Sequence, residues 1–183
     1  MPYITYIVII ICVVNYIREC QVQQEEPLDV ALQKCGALIK PLSSNKELYR
    51  LLTAGFVHMS IPHLLMNMYC MYYLGRALES YLGHFLFAIL LLGSIIAGNI
   101  CTLRLGNEYS ISGGLSGGLY GLMCFELKII VMLGGIGAIL SNGSLLLTII
   151  LNISLNFMPG VGYKAHLGGA IFGLLLALIV AII

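Results

Sequence analysis

Charge is what this sequence lacks most. Asp, Glu, Lys and Arg together make up 9% of its 183 residues, where a soluble domain carries about a quarter. A chain so poor in ions cannot cover its surface against water, and with 60% hydrophobic residues its solvent is lipid. No Lys/Arg-rich run occurs and the net charge is only +1, so nothing points to a polyanion, and nucleic acid is not an expected partner. CxxC spacing is also missing. Of the six cysteines, Cys12, Cys70, Cys101 and Cys124 lie in or beside apolar runs and read as small buried hydrophobes, not as a disulfide framework. No positive segment precedes the first apolar run at Pro2, which reads as a retained span.

What is present is a series of apolar runs. A bilayer-spanning helix needs about 20 mostly apolar residues. Six candidates occur: residues 2–17, 56–77, 85–105, 115–133, 144–157 and 165–183. The fold class is therefore an all-α membrane protein of six transmembrane helices. Residues 1–183 read as one domain whose only long polar connection is about 21–50, a loop with room for a short interfacial helix. The stretch 134–143, with four glycines, reads as the connection between spans four and five. Glu126 and Lys128 read as a pair at the end of span four.

Polar groups inside a membrane are costly and mark candidate sites. Ser116 lies in Gly114-Leu115-Ser116-Gly117, where a Gly/Ser-rich stretch gives way to an apolar helix. That places it in a first helical turn, whose free N–H groups and dipole favour a developing oxyanion. A face of small packing residues is the plainer reading of the same motif. Ser110 and Ser112 are near but lack the motif. His166 opens the last span. Gly169 and Gly173 lie one turn apart there, as do Gly117 and Gly121 on span four. If those two faces meet, Ser116 and His166 come within hydrogen-bond reach, the nucleophile–base geometry that an unactivated serine needs. His63 and Asn67, at i and i+4, share a face of span two. They read either as a mutual hydrogen bond or as two donors for an oxyanion. A metal site from His58, His63 and His166 would lack a carboxylate or thiolate to complete it, so neither metal nor cofactor is expected.

Taken in order, these segments resemble the rhomboid family. The likeness runs from about Gly36 to Ala181. It rests on Leu48-Tyr49-Arg50-Leu51-Leu52-Thr53, on His58, on His63-xxx-Asn67, on Tyr73-Leu74-Gly75-xxx-Glu79 and on GSIIAGN from Gly93 to Asn99. It continues in Gly114-Leu115-Ser116-Gly117 with Tyr120-Gly121, and in Ala165-His166-xx-Gly169-xxx-Gly173. The first span matches poorly. The resemblance implies a six-helix intramembrane serine endopeptidase with a Ser–His dyad: Ser116 as nucleophile and His166 as general base. It implies His63, Asn67 and the backbone N–H groups of Leu115 and Ser116 as oxyanion donors. Tyr120 would pack on the His166 ring, and Gly114 and Gly117 would support the loop and helix start. Residues 165–183 contain no Asp or Glu to orient His166, in agreement with a dyad. Single-span membrane proteins are the implied substrates, the bilayer the implied environment, and the plasma membrane of a prokaryote the expected location of this multi-pass chain. The fifth span, between glycines and Pro159-Gly160-Val161-Gly162, is the expected substrate gate. Two rivals use the same residues: a catalytically silent helix-binding relative, and a small channel lined by His58, His63 and His166.

Orientation is read in two opposite ways. The loops after spans one, three and five hold Arg18, Lys34, Lys40, Lys46, Arg50, Arg104 and Lys164, whereas the opposite side holds Arg76 and Lys128. The positive-inside rule then puts the long loop in the cytoplasm. The resemblance implies a site opening outside the cell, and that is the expectation kept.

Overall fold

The computed structural model describes residues 1–42, 44–155 and 162–180. Its helices are α1 (Tyr3–Val22), α2 (Leu28–Lys34), α3 (Arg50–Thr53), α4 (Ile61–Cys70), α5 (Arg76–Leu105), α6 (Ser116–Leu140), α7 (Gly143–Leu155) and α8 (Tyr163–Val180). Two short strands, β1 (Leu38–Lys40) and β2 (Ser110–Ser112), pair antiparallel with Leu38 opposite Ser112. The chain is an all-α membrane bundle with this one β ladder at its loop end.

Residues Ile61–Leu105 form one apolar helical stretch of 45 residues, in which a π-helical turn, Met71–Gly75, joins α4 to α5. At 1.5 Å per residue it would be about 68 Å long, twice a bilayer core of about 30 Å. It instead reverses at Gly83, whose φ of 75° only glycine adopts freely. Side-chain contacts fix the two directions. Glu79 reaches the start of α1 at Ile4 and Thr5, while Glu19 near the end of α1 receives the His58 N–H. Past the reversal, Ile95 lies against Gly55, and Asn99 donates to the Leu51 carbonyl at 2.9 Å. The stretch therefore crosses twice. Together with α1, α6 and α8, each long and apolar enough to span, it gives five crossings. The 13-residue α7 occupies the sequence position of the remaining span, which is consistent with six. Residues 156–161, including the expected hinge at Pro159-Gly160-Val161, lie outside the described residues.

The centre of the bundle is α8 lodged between α5 and α6, and glycines set the spacing. A β-carbon on Gly169 would strike the Gly117 carbonyl, and one on Gly173 the Gly121 carbonyl. Gly98 lies against the Ala165 carbonyl, and Gly93 beneath the Phe172 ring. Around these contacts Phe87, Leu90, Leu91, Leu115, Leu119, Leu122 and Phe125 are fully buried.

Several boundaries differ from the sequence expectation. The first span runs to Val22, not residue 17, because its polar residues are satisfied. The Asn15 amide donates to the carbonyls of Cys35 and Phe56 and to Glu19. The second span begins at Ile61, leaving His58 in the preceding loop. The polar stretch 21–50 is built, not loose: it holds α2, β1 and a 3-10 turn, Asn45–Glu47. Arg50, counted above among the loop cations, is buried, donating to the carbonyls of Gln33 and Ala37 and to Glu47. Residues 134–143 are mostly helix: α6 continues to Leu140, kinked at Gly135 with φ of 70°. Glu126 and Lys128 do not pair among the described residues. Two residues apart on a helix, they point in different directions, and Glu126 Oε2 is buried without a partner.

Gly169→Val forces a branched side chain into a backbone carbonyl and should cost at least about 3 kcal/mol, the upper end for overpacking. Gly137→Ala, where nothing lies within 4 Å, should leave stability unchanged or raise it. Thermal unfolding of the two variants in detergent checks the contrast.

Candidate active site

Ser116 is the first residue of α6. Its own turn has no earlier carbonyls to bond, so its backbone N–H and those just after it lack intrahelical partners. The loop before it is held by two contacts: the Gly114 N–H donates to the Ala54 carbonyl at 2.9 Å, and β2 is tied to β1. Gly114 has φ of 138°, a conformation that residues with a β-carbon rarely adopt.

His166 lies one turn into α8 and is buried, with 3% of its surface exposed. Its Nε2 is 2.8 Å from the Ser116 Oγ, itself 6% exposed. The Tyr120 ring stacks on the imidazole, with centroids 4.2 Å apart and planes at 7°. Tyr120 is one turn after Ser116, so one helix supplies both the hydroxyl and the aromatic face that fixes the ring bonded to it.

His63 reaches this place from α4, one turn before Asn67. A β-carbon built on Gly114 would sit 2.9 Å from His63 Nε2, 2.7 Å from its Cε1 and 3.7 Å from Ser116 Oγ. The space that glycine keeps clear thus lies between the imidazole and the hydroxyl. Asn67 is fully buried. Its amide donates to the His63 backbone carbonyl at 3.0 Å, and its Oδ1 is buried without a partner. The side chains of His63 and Asn67 are therefore not bonded to each other, which removes the mutual hydrogen bond considered from sequence: the amide bonds the backbone carbonyl four residues earlier instead. The Ser60 hydroxyl caps α4 by accepting from the His63 N–H, which fixes where the His63 ring emerges.

The structure thus brings Ser116, His166, Tyr120, Gly114, Gly117 and His63 together, with Asn67 one turn below His63. Ser112 is in β2, paired opposite Leu38. Glu19, which the sequence did not mark, and His58 stand behind the cluster. Glu19 accepts the His58 N–H at 3.3 Å, and the His58 ring meets the His63 ring edge-on at 5.2 Å. Among the described residues no three His, Cys, Asp or Glu side chains cluster to hold a metal ion.

Comparison with known proteins decides the family. The rhomboid domain model matches residues 45–182, three quarters of the chain. The chain belongs to the rhomboid family. It is 32% identical over 159 residues to RHOMBOID-like protein 4 of Arabidopsis thaliana, covering 85% of this chain and 40% of that protein. It is 34% identical over 156 residues to the mitochondrial RHOMBOID-like protein 6 of the same plant, covering 84% and 50%. It is 32% identical over 146 residues to Rhomboid protease GlpG of Photorhabdus laumondii, covering 74% and 49%. The chain spans about half the length, or less, of these curated relatives. Rhomboid membership and the long apolar helices make it an integral membrane protein of an intramembrane protease family.

Removing the stacked ring should loosen His166 and slow attack by Ser116. With up to about 1.5 kcal/mol in such a pair, Tyr120→Ala should react about tenfold more slowly with a fluorophosphonate. Tyr120→Phe, which keeps the ring, should react near the wild-type rate. Labelling time courses on folded protein measure both.

Proposed function

We propose that this rhomboid is an active serine endopeptidase, cutting peptide bonds in or next to the transmembrane segments of single-span membrane proteins. The observation that carries the reading is the buried 2.8 Å contact between His166 Nε2 and Ser116 Oγ at the start of a helix. In the proposed reaction Oγ attacks the scissile carbonyl as its proton passes to His166 Nε2. The tetrahedral oxyanion is stabilised by the N–H groups of Leu115 and Ser116, by the His63 ring and by the second N–H of the Asn67 amide. Collapse expels the amine, which takes the proton from His166, and leaves Ser116 acylated. Water, deprotonated by His166, then releases the acid and restores the serine.

Residues 1–183 act in this reading as one rhomboid-like transmembrane domain. The site opens toward the outside, in the plasma membrane of a prokaryote, and α7 serves as the gate. The burial of Arg50 and the Lys40–Gly106 bond support that orientation, because those two cations are engaged by the protein itself. The direct test of activity is to incubate purified protein in detergent with a single-span substrate and look for a cut product. No product, from protein whose Ser116 labels with a fluorophosphonate, would overturn the protease reading.

Ser116→Ala and His166→Ala should each abolish cleavage with the fold intact, and the double variant should be no worse than either, since members of one catalytic unit are not additive. Independent, multiplying rate losses would show that the two do not act together.

His63→Ala and Asn67→Ala should each lower kcat by about 10²–10³, the usual cost of one oxyanion donor, with KM little changed. Turnover is to be counted per labelled enzyme. Near-normal turnover on that basis would leave both residues as structural polar groups.

A further inference from the structure

A cleft of about 510 Å³ lies far along α1 from Glu79, between that helix and the segment 53–56. Its lining changes character along α1. Ile10, Ile11, Val14 and Phe56 form an apolar floor, and Arg18 stands at the far end. Ile10, Val14 and Arg18 are spaced four apart, so they line one face of the helix. Ile10 and Val14 are 60% and 59% exposed, so the cleft opens outward, and on a spanning helix outward is toward lipid.

Depth orders these residues. Arg18 precedes Glu19, which is bonded to His58 just before the second span begins, so Arg18 lies near the loop end of the first span. Ile10 is eight residues earlier, about 12 Å deeper. The guanidinium is also short of partners. It donates once, from Nη2 to the Lys34 carbonyl at 3.3 Å, out of five N–H groups. The nearby carboxylates are committed elsewhere: Glu19 to Asn15 and the His58 N–H, and Glu26 to Lys34 at 2.6 Å. Among the described residues Arg18 has no ion-pair partner. A planar guanidinium with free forked donors is suited to a phosphate, and an apolar trough leading inward from it suits an acyl chain.

We propose that this cleft is a phospholipid-binding site, with the headgroup phosphate on Arg18 and one acyl chain along Ile10, Ile11, Val14 and Phe56. The lipid would brace α1 against the segment whose Phe56 carbonyl already accepts from Asn15. The site is independent of the catalytic reading, because none of its lining residues belongs to the proposed machinery.

The test uses the full chain in mild detergent, incubated with a phosphatidylglycerol or with the diacylglycerol of the same chains, and counts bound lipid by native mass spectrometry. The wild type should retain one phosphatidylglycerol that Arg18→Gln holds about tenfold more weakly. Val14→Trp, which fills the trough, should lose it as well. Arg104→Gln, an exposed cation at the same end but outside the cleft, should bind as the wild type does. Equal retention by Arg18→Gln, or diacylglycerol held as tightly as the phospholipid, would overturn the phosphate assignment. Undiminished retention by Val14→Trp would overturn the site itself, and that arm stands even if Arg18→Gln fails to fold. Melting curves establish that each variant counted is folded.

Discussion

The molecule turns on how closely α8 approaches α6. Lipid tails are as apolar as leucine, so helices in a bilayer gain little by hiding side chains from their solvent. Close packing has to supply the attraction, and here backbone meets backbone: Gly169 over the Gly117 carbonyl, Gly173 over that of Gly121. On its other side α8 meets α5 in the same way, Gly168 against the Ala97 carbonyl. Once that spacing is set, the position of His166 at the head of α8 relative to Ser116 at the head of α6 is no longer adjustable. This matters because α8 offers no carboxylate to steer the imidazole. Rigid packing and the stacked Tyr120 ring hold the imidazole in place, and in the proposed dyad they would do what an acidic partner does in a triad.

A second constraint is that polar groups at membrane depth must find partners within the protein. The buried charged residues meet it through backbone groups that helices leave unpaired. Arg50 gathers the carbonyls at the end of α2 and the start of β1. Glu19 takes the N–H of His58 in an irregular segment. These links tie the first loop to α1, and through the His58–His63 ring contact they reach the residues beside Ser116.

How much of this could be read from the residues alone depended on the range of each interaction. The spans expected at 85–105 and 165–183 were legible, the latter as far as Val180, because an apolar run is a local property. The meeting of α6 with α8 was legible because glycines at four-residue spacing occur on both. The contact between Ser116 of GLSG and His166 was legible from their places near two helix starts. What escaped were partnerships across long separations. Asn15 and Glu19 lie in α1, and nothing local to them indicates that Phe56 and His58 supply their partners, so the first span looked shorter than it is. The pairing of residues 38–40 with 110–112 joins two three-residue segments about 70 positions apart, too short to carry a period. Residues 134–143 misled because glycine is tolerated in membrane helices more than in soluble ones, and only Gly135 actually bends the chain.

One such long-range partnership bears on how the protein is assembled. The first N–H groups of any helix want acceptors, and α1 begins at Tyr3 behind a proline that provides none through its side chain. The acceptor comes from elsewhere. Glu79 takes hydrogen bonds from the Ile4 and Thr5 N–H groups and from the Thr5 hydroxyl, and holds His84 at 2.6 Å. A residue about 75 positions downstream thus caps the first helix. Until residue 79 has been made, the Ile4 and Thr5 N–H groups lack this acceptor. The two helices thus secure each other: the start of α1 is capped only once the second span has brought its carboxylate to the same face.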